Sequence, residues 1–220
     1  MADTVLPPDP TLDEMRAALG AVIPAHAMFD GWGDAALEAS ARELGLDPAH
    51  ARLAFPDGAI GMIDAWYASV DARLAAAFPA ERIATMKFRE RIAAQILARF
   101  DLVRPHKQAA RTALSLLARH PATATKLGWR AADVMWRIAG DTATDLNHYT
   151  KRLTLSAVYG STLIIWLDDE SEGESETKAF LARRIEGVMR FEKLKAQLTP
   201  DPERRFSMTR FLGRLRYPAH

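Results

Sequence analysis

Residues 140–152 read GDTATDLNHYTKR, and residues 153–167 read LTLSAVYGSTLIIWL. A polar segment rich in hydrogen-bonding side chains thus runs directly into fifteen uncharged residues, and Asp168, Asp169, Glu170, Glu172, Glu174 and Glu176 close the run. The pattern predicts a buried helix with a polar entrance and a solvated acidic exit. Fifteen residues are too few to cross a bilayer, which needs ~20. On this helix Leu146, Tyr149, Leu153, Ala157, Gly160 and Ile164 share one face by their three- and four-residue spacing. Ala157 and Gly160 are small, which suits either a close neighbouring helix or space for a ligand.

Outward from this stretch, apolar residues recur at helical spacing and β-branched residues seldom alternate with polar ones, so the chain reads as all-α. Pro and Gly divide it into expected helices over 12–25, 34–44, 48–54, 58–77, 80–101, 105–119, 121–139, 143–168, 175–198 and 203–216. Asp47-Pro48 reads as an N-cap followed by proline at the first helical position, and Gly45 as a C-cap glycine. Two short helices about a Gly-containing turn make a helix-turn-helix pattern. The order of elements resembles a TetR-type regulator, with expected domains 1–57 (helix-turn-helix-like module), 58–200 (ligand-binding bundle) and 201–220 (basic amphipathic helix).

Charge separates that fold from its usual activity. The formal net charge is +1, but residues 1–62 hold ten acids and three bases, whereas residues 190–220 hold eight bases and three acids. The recognition-helix position offers only His50 and Arg52. Phosphate contacts supply most nonspecific affinity for DNA, so an acidic module argues against nucleic acid as a partner. Cysteine is absent, which excludes disulfides and thiolate chemistry. The N-terminus lacks an apolar or Arg-rich leader, and a cytoplasmic location is expected.

No nucleotide-binding glycine motif occurs, and Ser156 and Ser161 lack the Gly-x-Ser-x-Gly setting of a hydrolase. Both serines are expected to bond back to their own helix. Asp47 with His50 and Asp145 with His148 have ligand-like spacing, but Asp47 is already explained as a cap and no Glu-x-x-His completes a dimetal set. No metal, cofactor or catalysis is expected.

The string GDTATDLNHYTKR, the following LSAVYGSTLIIWLDD, and Thr177, Phe180, Leu181, Arg183 and Arg184 together resemble the COQ9 family of ubiquinone-biosynthesis proteins. The resemblance continues through His26, Gly31-Trp32, residues 41–46 and residues 55–58; where family members often carry Trp before the Tyr, this chain has His148. It implies a homodimeric, non-catalytic accessory protein that holds an isoprenoid lipid or ubiquinone precursor in its bundle. Candidate lipid-contacting residues are Trp129, Trp136, Leu153, Ala157, Gly160 and Ile164, with Trp166 a further wall residue; ordinary aromatic core is the other reading of these tryptophans.

The resemblance also implies a COQ7-type hydroxylase as partner, met by Asn147, His148, Tyr149 and Arg152. Charged groups at a helix mouth can equally pair within the fold. In the C-terminal tail Arg210, Phe211, Leu212, Arg214 and Leu215 fall on or beside an apolar helical face, as in an amphipathic helix lying peripherally on the inner membrane. The same pattern permits a terminal helix folded onto its own bundle. The alternative function is a TetR-type transcriptional regulator that senses a hydrophobic ligand.

Overall fold

A computed structural model describes residues 6–141 and 146–198, and every long element among them is a helix. The first, α1 (Leu12–Asp30), opens on a capping box: the Thr11 hydroxyl accepts from the Glu14 amide at 3.3 Å, and the Glu14 carboxylate accepts from the Thr11 amide at 2.8 Å. This helix continues through Pro24, past its expected end at residue 25. Ile23, Pro24 and Ala27 are buried there, so tertiary packing offsets the hydrogen bond that proline removes.

Helices α2 (Asp34–Glu43) and α3 (Pro48–Leu53) form the helix-turn-helix pair. Between them Gly45 adopts φ +68°, a conformation that disfavours a side chain. The Asp47 carboxylate caps α3 by accepting from the Ala49 amide at 2.9 Å. Arg52 pairs with Glu38 and stands 3.7 Å from Asp34, so the guanidinium of this short helix is engaged by its own module.

Helix α4 (Gly58–Ala77) crosses α1 tightly, and a Cβ placed on Gly20 would stand 2.7 Å from the Ala65 backbone. Its buried face, Met62, Ile63, Trp66, Val70 and Leu74, is the centre of the core, yet Asp71 lies on it too. The expected helix 80–101 is two elements, α5 (Ala80–Ala84) and α6 (Phe88–Val103). Chain redirection at residues 85–87 is stabilised locally. The Lys87 amide donates to Glu90 at 3.0 Å, and Arg91 donates to the carbonyls of Met86 at 2.9 Å and Ala139 at 3.1 Å.

A short 3-10 turn leads to α7 (Lys107–Leu117), followed by α8 (Pro121–Ile138) and α9 (Leu146–Asp168). Phe100 stacks on Trp166 with centroids 5.1 Å apart, tying α6 to α9. Both rings are fully buried, and burying one such side chain contributes roughly 1.5–3 kcal/mol. The acidic loop is exposed at Asp168, Glu170, Glu172 and Glu176, as expected, but Asp169 is buried and the segment is also tied to the bundle. Asp168 pairs with Arg111, Glu174 pairs with Arg104 and accepts from the Trp166 indole at 2.8 Å, and Asp169 accepts from the Thr177 amide at 2.8 Å. Hydrogen bonds from Ser171 and Thr177 hold the Asp169 carboxyl well below the usual carboxylate range. These bonds start α10 (Ser175–Leu198). The described residues through Ala182 form one compact unit and those from Arg183 a second. The expected helix 203–216, with Arg210, Phe211, Leu212, Arg214 and Leu215, lies outside the described residues.

Candidate functional site

Helix α9 buries Leu155, Val158, Tyr159, Thr162, Leu163 and Trp166. The face singled out from sequence spacing is a different one. Leu153 is 63% and Ile164 54% exposed, with Ala157 and Gly160 between them. These four residues border a cavity of about 410 Å³ that also takes in Trp129 and Leu127 from α8 and Leu114 and Leu117 from α7. That volume lies within the ~300–1,000 Å³ of small-molecule sites. Its exposed rim at Leu153 and Ile164 opens it to solvent.

Five of the six expected lipid-contacting residues therefore border one cavity, and Trp136 does not. Its ring stacks on Phe88 at 5.3 Å, and its indole N–H donates to the Lys151 carbonyl at 3.0 Å, which turns it to a different task. Trp166, similarly, is absorbed into the core by Phe100 and Glu174.

The cavity also contains polar residues that sequence spacing did not select. Arg99, only 1% exposed, borders it together with Tyr67 and Tyr159. Arg99 Nε donates to the Tyr159 hydroxyl at 3.0 Å, and Nη1 donates to Asp71. The other Asp71 oxygen accepts from Arg130 Nε at 2.9 Å; Arg130 Nη1 reaches Asp64 at 2.5 Å, and Arg16 reaches Asp64 at 3.2 Å. Burial opposes the charge on Arg99, but Tyr159 and Asp71 more than offset it and hold the guanidinium ionised above its usual value. Burial, with Tyr159 close by, pushes the Tyr67 phenol well up despite the pull of Arg99, so it stays neutral. A readable signal did exist: Arg99 sits in the apolar register of Ile92, Ile96, Phe100 and Val103, where charge is rare unless paired.

Ser161 follows expectation by donating to the carbonyl of Ala157 at 2.8 Å, and Thr162 donates likewise to the carbonyl of Val158 at 2.7 Å. Ser156 does not. Its hydroxyl is buried without a hydrogen-bond partner and borders the cavity.

At the entrance of α9, Tyr149 is 60% exposed and packs against Trp129 with centroids 6.0 Å apart. His148 meets the Tyr149 ring edge-on at 5.2 Å. Arg152 is only 2% exposed, which removes it from the surface expected of it. It donates to Asp133 at 2.6 Å, to Asp141 at 3.3 Å and to the His148 carbonyl at 3.2 Å, while Lys151 reaches Asp141 at 2.7 Å. Burial alone would raise the Asp133 carboxyl, but bonds from Arg152 and Arg137 and their charges lower it overall. Asn147 belongs to the helical backbone of α9, and Asp145 lies outside the described residues.

Frame and cavity together define an all-α, TetR-like protein with an apolar pocket in its helical bundle. A solved TetR transcriptional regulator from Nitrosomonas europaea covers 80% of this chain, and 98% of its own, at a TM-score of 0.62 and 22% identity, which establishes the fold alone. Residues 122–192 match the COQ9 family model. The chain is 29% identical to the human ubiquinone biosynthesis protein COQ9, mitochondrial, over 76% of this chain and 54% of that protein. It is 39% identical to COQ9-B of Xenopus laevis over 34% of this chain and 25% of that protein. The chain spans about half the length of the human relative it matches. Residues 122–192 are thus similar to the COQ9 family, and the fold of the chain is TetR-like.

Proposed function

We propose that this chain is a non-catalytic accessory protein of ubiquinone biosynthesis that binds an isoprenoid lipid and presents it to a COQ7-type hydroxylase at a membrane. One observation carries the reading: apart from Tyr67, Arg99, Leu114 and Leu117, every residue bordering the cavity falls within the segment that matches the COQ9 family model. An apolar cavity of this kind favours a prenyl chain, since each CH2 taken from water gains roughly 0.8 kcal/mol. Trp129, Leu153, Ala157, Gly160 and Ile164 supply the wall, and the exposed Tyr149 beside Trp129 supplies a surface for the hydroxylase near the lipid.

No helix among the described residues is long and apolar enough to cross a membrane. We place the protein peripherally, with residues 201–220 as its foot, and assign closure of the open α9 face to a second copy of the chain. The regulator alternative is less well supported because Arg52 is already paired with Glu38. Lipid extracted from protein purified without detergent should contain an isoprenoid quinone or its precursor. An extract holding only phospholipid, or none, would contradict the proposal.

A further inference from the structure

Asp64 and Asp71 lie two turns apart on one face of α4, and each carboxylate is shared by two guanidinium groups. Followed from one end, these bonds make an unbroken path through the bundle. Tyr159, on the cavity wall, accepts from Arg99, and Arg99 donates to Asp71. Arg130 joins Asp71 to Asp64, at 2.9 Å and 2.5 Å, and Arg16 reaches Asp64 at 3.2 Å. Arg16 then donates to the Ala54 carbonyl at 3.0 Å and to the Gly61 carbonyl at 3.1 Å. Ala54 is the residue that ends α3, so a path beginning at the cavity finishes in the helix-turn-helix pair.

Such a path transmits displacement for an electrostatic reason. Arg99 and Asp71 are both buried, so a guanidinium that moves off its carboxylate there leaves charge uncompensated in a low-dielectric setting. Following the partner costs less than losing it. The backbone supplies a second tie at the same place. Arg16 stands one turn before Gly20, where α1 meets the Ala65 backbone too closely for a Cβ, and Ala65 directly follows Asp64. Movement of Asp64 therefore reaches α1 both through an ion pair and through direct contact.

We infer that this chain of ion pairs couples occupancy of the cavity to the helix-turn-helix-like pair: a guest that fixes Tyr159 and Arg99 also restricts opening of α3. The inference rests on the lipid-cavity reading above and adds a regulatory consequence, in which the acidic module indicates whether the cavity is filled. No large movement is needed, because a ligand that orders one end of a network lowers the entropic cost of order at the other.

Hydrogen exchange of the full chain, followed by mass spectrometry with and without saturating farnesol, tests the coupling. In the wild type, farnesol should slow exchange in α9 across residues 153–164, and at residues 48–54 by about fivefold or more. Arg130 does not border the cavity, so in Arg130→Met α9 should still be protected while the effect at 48–54 vanishes. Arg16→Met cuts the far end of the path and should give the same result, which keeps the test open if Arg130→Met fails to fold. Protection of α9 alone in the wild type, or protection of 48–54 that survives the substitutions, would overturn the coupling and leave the cavity reading intact. Failure of farnesol to protect α9 would overturn the cavity reading and the coupling with it.

Discussion

The two faces of α9 are alike in composition and opposite in use. One face carries Leu155, Val158 and Trp166 into the core, whereas the other carries Leu153, Ala157, Gly160 and Ile164 past a cavity and out to solvent. Hydrophobicity alone does not separate them. What does is the partner opposite: the inner face meets Phe100 of α6, and the outer face meets an unfilled space edged by Trp129 and Gly128 of α8. A large apolar residue without a partner in its own fold is informative, because exposed apolar surface collects where something else binds.

This contrast predicts a steep difference in sensitivity. Trp166→Ala should lose about 3–5 kcal/mol of stability, since it empties a packed site and removes the indole hydrogen bond to Glu174, as read from a denaturant midpoint. Arg152→Ala comes next at roughly 3 kcal/mol, because Asp133 and Asp141 lose their shared cation in a largely buried setting. Acid titration sharpens this second case. The Asp133 carboxyl is lowered from its ordinary 3.8, so its contribution is present above that value and disappears as the pH falls through its lower folded value. Wild-type thermal midpoints should therefore drop more steeply below 3.8 than those of Arg152→Ala, and parallel curves would show that the pair contributes nothing.

On the outer face, Gly160→Ala should raise stability by roughly 0.5–1 kcal/mol, because helix propensity improves and an added Cβ there meets nothing within 4 Å. The same change at Gly20 should destabilise, as the Cβ would collide with Ala65. Leu153→Ser should shift stability least, within about 0.5 kcal/mol, while weakening retention of an apolar ligand.

Much of the architecture was readable because proline, glycine and caps punctuate it locally. Asp47-Pro48 and Gly45 behave as their chemistry dictates. Tertiary effects were not readable: nothing near Pro24 announces that buried neighbours carry the helix onward, and nothing in the acidic run marks Asp169 as the cap of α10. The cavity was legible as a face of small and large apolar residues on α9, but its polar wall was not. That wall comes from α4 and α6, whose Asp71 and Arg99 meet only across 28 positions of sequence. Spacing along one helix cannot report such a pair. Arg152 is a case where sequence left two readings open, a partner surface implied by the resemblance or a pair within the fold, and the structure makes it an internal tie.

The most direct test of the account is native mass spectrometry of the wild type and an Ala157→Trp variant, both purified without detergent. The wild type should carry a bound lipid mass that the variant, its cavity filled by the indole, lacks at a similar unfolding midpoint. A wild type without adduct, or a variant that retains the same adduct, would contradict a ligand-holding outer face.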